Sequence, residues 1–109
     1  MPETRKVLGQ SAPALTTLTA LYTAPAATQA VVSTVTICNR SATATTYRVS
    51  IAIAGAADAT SQYVVYDATI AGNDTVALTQ GWTLGATDVI RCYAGAATLT
   101  FVAFGVELT

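Results

Sequence analysis

Acid–base or metal chemistry in this 109-residue chain would have to be built from six carboxylates and two thiols, because the sequence contains no histidine. Losing imidazole removes the commonest general base, most nucleophilic triads and nearly all zinc sites. The acids are Glu3, Asp58, Asp67, Asp74, Asp88 and Glu107. A glycosidase needs two of them facing one another across a sugar at roughly 5–10 Å. Asp58, Asp74 and Asp88 instead fall in turn-like sequence, where a short carboxylate holds backbone N–H groups. Asn73-Asp74 lacks the spaced acids and closing Glu of a calcium loop. Cys38 and Cys92 each sit in strand-like sequence as small hydrophobes, and no further ligand accompanies them. Two sheets of a sandwich can bring such positions together, so bonded and free thiols both stand. The expectation is a protein that is not an enzyme, with no catalytic residues, no metal and no cofactor.

The remaining polar and aromatic groups suggest binding at most. Arg40, Arg48 and Arg91 are scattered and the net charge is -1, so nucleic acid has no electrostatic footing. Their expected partners are Asp67, Asp88 or Glu107, within or between subunits. Trp82, Tyr22, Tyr63, Tyr66 and Tyr93 are candidates for a glycan-contact platform, with Trp82, Tyr63 and Tyr66 foremost. Core packing or interface anchoring is the alternative for the same rings. Asn39-Arg40-Ser41 and Asn73-Asp74-Thr75 fit a glycosylation pattern but read as turns.

The elements that would position these residues are strands throughout. Residues 29–38 carry Val31, Ser33, Val35 and Ile37 on one face, and residues 43–54 carry Tyr47, Val49, Ile51 and Ile53 on one face. This period-2 alternation predicts two strands, and the intervening Asn-Arg-Ser predicts a turn that pairs them as a hairpin. Shorter strands follow the same rule at 16–23, 62–70, 75–79 and 89–94, with Gly81 and Gly85 bracketing Trp82-Thr83-Leu84. Residues 98–108 are apolar on both faces, Leu99/Phe101/Ala103 against Val102/Phe104/Val106/Leu108. Such a strand is covered on both sides, or meets another subunit. The prediction is an all-β fold: a single antiparallel β-sandwich of seven to eight short strands, with a jelly roll among its candidate topologies. Residues 1–14 are expected to form an extended N-terminal arm, and 15–109 the sandwich domain.

Composition points to assembly. Only 10% of the chain is charged and its mean hydropathy is +0.50, while roughly two residues in five are Ala or Thr, far above ordinary usage. Charge normally keeps small domains apart in solution, so a chain this poor in charge is expected to cover its surface with copies of itself. Arg5, Lys6, Val7 and Leu8 on the arm, and Val102, Phe104, Val106 and Leu108 on the last strand, are the expected assembly interface. No run approaches the ~18 apolar residues of a membrane helix, and the first residues lack the apolar run of a leader. No membrane partner is expected.

The succession Val7-Leu8-Gly9-Gln10-Ser11-Ala12-Pro13, Leu21-Tyr22-Thr23-Ala24-Pro25-Ala26, Val31-Val32-Ser33-Thr34, Ile37-Cys38-Asn39-Arg40, Ala71-Gly72-Asn73-Asp74-Thr75 and 101–105 resembles small virion-associated structural proteins of tailed bacteriophages. The resemblance spans nearly the whole chain and brings no catalytic residues. It implies a virion protein made in the host cytoplasm: a capsid decoration or cement protein, or a small neck, tail or baseplate adaptor. The implied partners are further copies of itself, a trimer being favoured, and the major capsid or tail proteins. A β-sandwich module binding host glycans is the alternative from a different class.

Overall fold

The computed structural model describes residues 2–109 and is all-β, with nine strands among the described residues: β1 Glu3–Ser11, β2 Thr19–Thr23, β3 Gln29–Asn39, β4 Thr45–Ala52, β5 Tyr63–Ile70, β6 Thr75–Leu78, β7 Trp82–Leu84, β8 Val89–Ala94 and β9 Leu99–Leu108. They form two antiparallel sheets. The first runs β1-β9-β3-β6, with β7 continuing the β6 edge alongside β3; the second runs β2-β8-β4-β5. With β6 and β7 counted as one broken edge strand, eight strands pair first with last, second with seventh, third with sixth and fourth with fifth. One long hairpin rolled across two layers gives this order, which is that of a jelly roll.

The rolled order overturns the predicted hairpin. β3 and β4 lie in different sheets, and the only turn joining neighbouring full strands within a sheet is β4 to β5. Alternation within a strand identifies its buried face but not its partner. The crossing is held by Asn39, which is 2% exposed. Its side-chain amide donates to Thr43 O (2.9 Å) and Ala71 O (3.2 Å), and its oxygen accepts from Ser41 N (3.1 Å) and Thr98 Oγ1 (3.1 Å). One amide thereby ties three loops at one end of the sandwich. Asn39 is a hydrogen-bond hub rather than a left-handed turn residue; Asn73 supplies the positive φ of 55° in the loop that meets it.

Bulges correct the predicted faces. The register of β3 on β9 shifts between Val32 and Thr34, so the buried face is Ala30 and Val32 and then Val35 and Ile37, with Ser33 exposed. A one-residue insertion moves every later side chain to the opposite face. β4 buries Tyr47 and Val49 as expected, but Ile53 lies beyond its end and is 76% exposed.

Residues 3–11 are likewise not a separate arm. β1 pairs along β9 from Glu3 opposite Leu108 to Ser11 opposite Phe101, with a bulge between Val7 and Gly9. Gly9 is needed there, because a Cβ would collide with Leu21 O of β2. The core between the sheets is filled from both sides, with Ile37, Phe101 and Leu99 facing Val49, Ile90 and Cys92. Phe101 meets the Tyr47 ring edge-on at 6.4 Å. Cys38 and Cys92 are both free, and burial pushes the Cys92 thiol up to about 11.

A polar clasp joins the sheets at the opposite end. Tyr22 OH of β2 donates to Glu107 Oε2 of β9 at 2.6 Å, and Lys6 Nζ of β1 sits 2.9 Å from Glu107 Oε1. These two hydrogen bonds hold the Glu107 carboxyl below its usual range, while burial and the carboxylate raise the Tyr22 hydroxyl. Because the folded value of Glu107 is depressed, its contribution is complete at neutral pH and is lost as the pH falls below 4.5, through the folded value. Tyr22→Phe is expected to cost roughly 1.5–3 kcal/mol at neutral pH, the usual range for a hydrogen bond to a charged group. Urea denaturation at neutral and acidic pH checks this: the gap between variant and wild type narrows in acid. Asn39→Ala is expected to lower stability by roughly 2–4 kcal/mol, several hydrogen bonds at about 1 kcal/mol each, measured in the same titration.

Candidate functional site

Two surfaces present side chains that the core does not use. The first is the outer face of the first sheet. Antiparallel register aligns Val7 with Phe104 and Thr34, and Val102 with Gln10 and Thr36; Val106 lies opposite Val31. Val7 is 48% and Phe104 37% exposed, while Val102, Val106 and Leu108 are half-buried. The charged groups on this face are Glu3 and Arg5, together at one end and 3.6 Å apart. Between them and Cys38 the face is uncharged, with Gln10, Ser33 and threonines set among aliphatic side chains and Phe104.

This geometry divides the expected interface residues. Arg5, Val7, Val102, Phe104, Val106 and Leu108 share the outer face. Lys6 and Leu8 do not: Lys6 pairs with Glu107, and Leu8 packs on the core. Ordinary alternation sends Val7 outward and Leu8 inward, and the bulge that follows keeps Gly9 on the inward side as well.

The second surface is the outside of the second sheet, where β5 carries its own bulge. Tyr47 pairs with Ala68 and Val49 with Val65, so Arg48 of β4 is opposed by two residues, Tyr66 and Asp67. Asp67 takes the left-handed conformation, φ 53°, which a short polar side chain tolerates. Its carboxylate receives Arg48 Nε at 2.6 Å and Nη2 at 3.2 Å. The guanidinium is stacked between two rings, its central carbon 4.2 Å from the Tyr66 centroid and 4.4 Å from that of Tyr93. The Asp67 hydrogen bond raises the guanidinium further, and Arg48 in turn holds the Asp67 carboxyl below its usual range.

Next to this stack, Tyr63 meets Tyr66 at 5.1 Å and 88°. With Thr60 the two rings line a cavity of about 480 Å³. The Tyr63 hydroxyl donates to Asp58 Oδ2 at 3.2 Å. The wall beside them is the 53–62 segment, folded back over the sheet. Arg91 donates to Ala56 O (2.9 Å) and Gly55 O (3.2 Å), and Asp88 Oδ1 accepts from Ala54 N at 2.9 Å. Asp88 also accepts from Gly85 N at 2.8 Å and Asp74 from Thr75 N at 2.9 Å, the turn-holding role that the sequence suggests for both.

Tyr63 and Tyr66 therefore come together, but Trp82 does not join them. It lies on β7 of the other sheet, opposite Val32, packed against the core with its indole N–H on Gln80 Oε1. Of the expected arginine pairs, only Arg48–Asp67 forms; Arg40 donates to Ala97 O, and Glu107 takes Lys6. Sequence reasoning passed over Asp58 and Thr60 as parts of the cluster, and did not place Arg48 between Tyr66 and Tyr93. No local signal marked the cluster, because the inward placement of both Val65 and Ala68, three apart, is a property of the packed register.

Among the described residues no three His, Cys, Asp or Glu side chains cluster, and no helix is long and apolar enough to cross a membrane. Comparison of the chain with protein-family models, curated proteins and solved structures returns no match.

The stack should depend on the ion pair. Asp67→Asn keeps a residue that tolerates φ 53° but removes the charge that seats the guanidinium. The Tyr66 and Tyr93 ring proton resonances are expected to move toward their random-coil positions in the NMR spectrum, with the rest of the amide spectrum unchanged.

Proposed function

We propose that this chain is a non-enzymatic structural protein of a bacteriophage particle, a capsid decoration or cement protein that associates with further copies of itself. The observation that carries the reading is the outer face of the first sheet, uncharged between its Glu3–Arg5 end and Cys38 and carrying the exposed apolar side chains Val7 and Phe104. The charged side chains elsewhere support it, because they hold the fold: Glu107, Asp67 and Asp88 are each bound to groups of their own chain. The jelly-roll order is one that viral capsid domains share, an argument from architecture that gains weight only beside the surface and the sequence resemblance.

The occupant of the face is a second copy. An uncharged patch meets a copy of this chain without like-charge repulsion, and its hydroxyl and amide groups can pair across the contact as donors and acceptors. Four strands about 4.8 Å apart and eight residues at about 3.4 Å each give a face of roughly 500 Å². Two such faces cover roughly 1,000 Å² in total, the lower limit of a stable interface. A simple face-to-face pair is therefore marginal; a closed trimer instead uses a heterologous contact, this face of one chain against a different patch of the next, which gives every chain two interfaces. The β1 edge contributes to closure, while Glu3, Arg5 and Lys6 along it guard against open-ended strand addition.

Placing Asp at both Val7 and Phe104 is expected to convert the oligomer to monomer in native mass spectrometry, with the fold retained. Cys38, on the same face, reacts with a thiol reagent in the variant and is protected in the wild type. Quantitative mass spectrometry of purified particles then decides between locations. A ratio near one copy per capsid protein supports decoration of the shell, and a small fraction supports a neck, tail or baseplate adaptor. A monomeric wild-type chain missing from particles overturns the reading.

A further inference from the structure

We infer that the cavity bounded by Thr60, Tyr63 and Tyr66 is a binding site for a neutral saccharide. It lies on the second sheet and does not rest on the assembly reading, which concerns the first. The two tyrosine rings stand at 88° with centroids 5.1 Å apart, so they form a floor and a wall rather than a flat patch. Tyr66 is 59% exposed although it is a large ring. Its position is fixed from beneath by the Arg48 guanidinium, itself clamped by both Asp67 oxygens. An aromatic face held in place before a ligand arrives loses little freedom on binding. The pocket is shallow and open to solvent; its volume of about 480 Å³ lies within the roughly 300–1,000 Å³ of small-molecule sites, but it would cover one face of a ligand rather than enclose it.

The chemistry of the lining selects the ligand class. A pyranose offers an apolar C–H face to a ring and hydroxyls around its rim. The Tyr66 ring supplies the platform, and the Thr60 hydroxyl, the Tyr63 hydroxyl and the Asp58 carboxylate supply rim partners. Charge argues against the other candidates. The nearest cation, Arg48, is neutralised by Asp67, so an anionic ligand gains no free positive partner. A cationic ligand would find the Tyr66 ring already engaged by a guanidinium 4.2 Å from its centroid, which leaves the ring a poorer partner for a second cation. A neutral, hydroxyl-rich ring is the class that none of these groups opposes. With one aromatic platform the affinity is expected to be weak, of millimolar order.

The test is an amide-resolved NMR titration of the full chain with lactose, cellobiose and chitobiose, using tetramethylammonium and sulfate as controls. Saturable shifts confined to residues 58–66 and their neighbours on β4 with at least one disaccharide, and none with the controls, are the expected result. Tyr66→Ala is expected to weaken that binding roughly tenfold, the scale of one lost ring contact, while Tyr66→Phe retains it and shows that the fold is intact. No saturable shift with any of the three sugars, shifts centred elsewhere, or binding of tetramethylammonium or sulfate in their place overturns the proposal. Loss of oligomerisation in the Val7 and Phe104 variant leaves this titration unchanged, so the two readings fail separately.

Discussion

Every backbone hydrogen-bonding group along the middle of β9 has a strand beside it, β1 on one side and β3 on the other, while Leu99, Phe101 and Ala103 fill the core beneath. Through this strand the chain's last segment closes on its first. Four nested antiparallel pairs accompany that closure, and β3, with β9 along one edge and β6 and β7 along the other, has no edge left for β4. Gly105 marks how tightly β9 is held, since a Cβ there would strike Val31 O of β3. Pairing of this kind is almost entirely non-local, which places a high entropic cost before any reward from burial. The Asn39 hub and the Tyr22–Glu107–Lys6 clasp act at the two ends of the sandwich, where the loops and edges would otherwise separate.

The two outer faces have different fates for a physical reason. Over the second sheet, segment 53–62 folds back and is pinned by Arg91 and Asp88, so that even Ser50 and Ala52 on that side are buried. Over the first sheet no segment of the described chain returns, and its valines and Phe104 face outward. A chain with 10% charged residues spends them on holding its own loops and edges. What remains for the outside is threonine and aliphatic surface, which water tolerates less well than a second protein surface does.

Bulges convert these plain sheets into distinct sites. The one in β1 sets Leu8 and Gly9 on the same inward side, and the one in β3 exchanges the inward face at Ser33. The third, in β5, presents Tyr66 and Asp67 together to a single arginine. Each inserted residue costs a ladder hydrogen bond and redirects a side chain, which is why bulges gather where a surface departs from simple alternation.

Strand identity was legible in the amino acids. The alternation of residues 29–38 and 43–54, the two apolar faces of 98–108 and the turn chemistry of Asp74 and Asp88 all follow from local preferences that hold whatever the partner strand. The all-β class and the sandwich follow from them; simple alternation puts Tyr63 and Tyr66, three apart, on opposite faces of their strand, and only the irregular β4–β5 register brings the two rings together. The tertiary structure alone decided which strands pair, that residues 3–11 join the sheet as β1, that Trp82 lies on the opposite sheet from the tyrosines, and that Arg48 stacks between Tyr66 and Tyr93. Backbone hydrogen bonds are the same for any pair of strands, so partner choice rests on which buried faces fit together across the core. A bulge in turn reverses a face without altering composition, and only the packed register of two strands reveals where it falls.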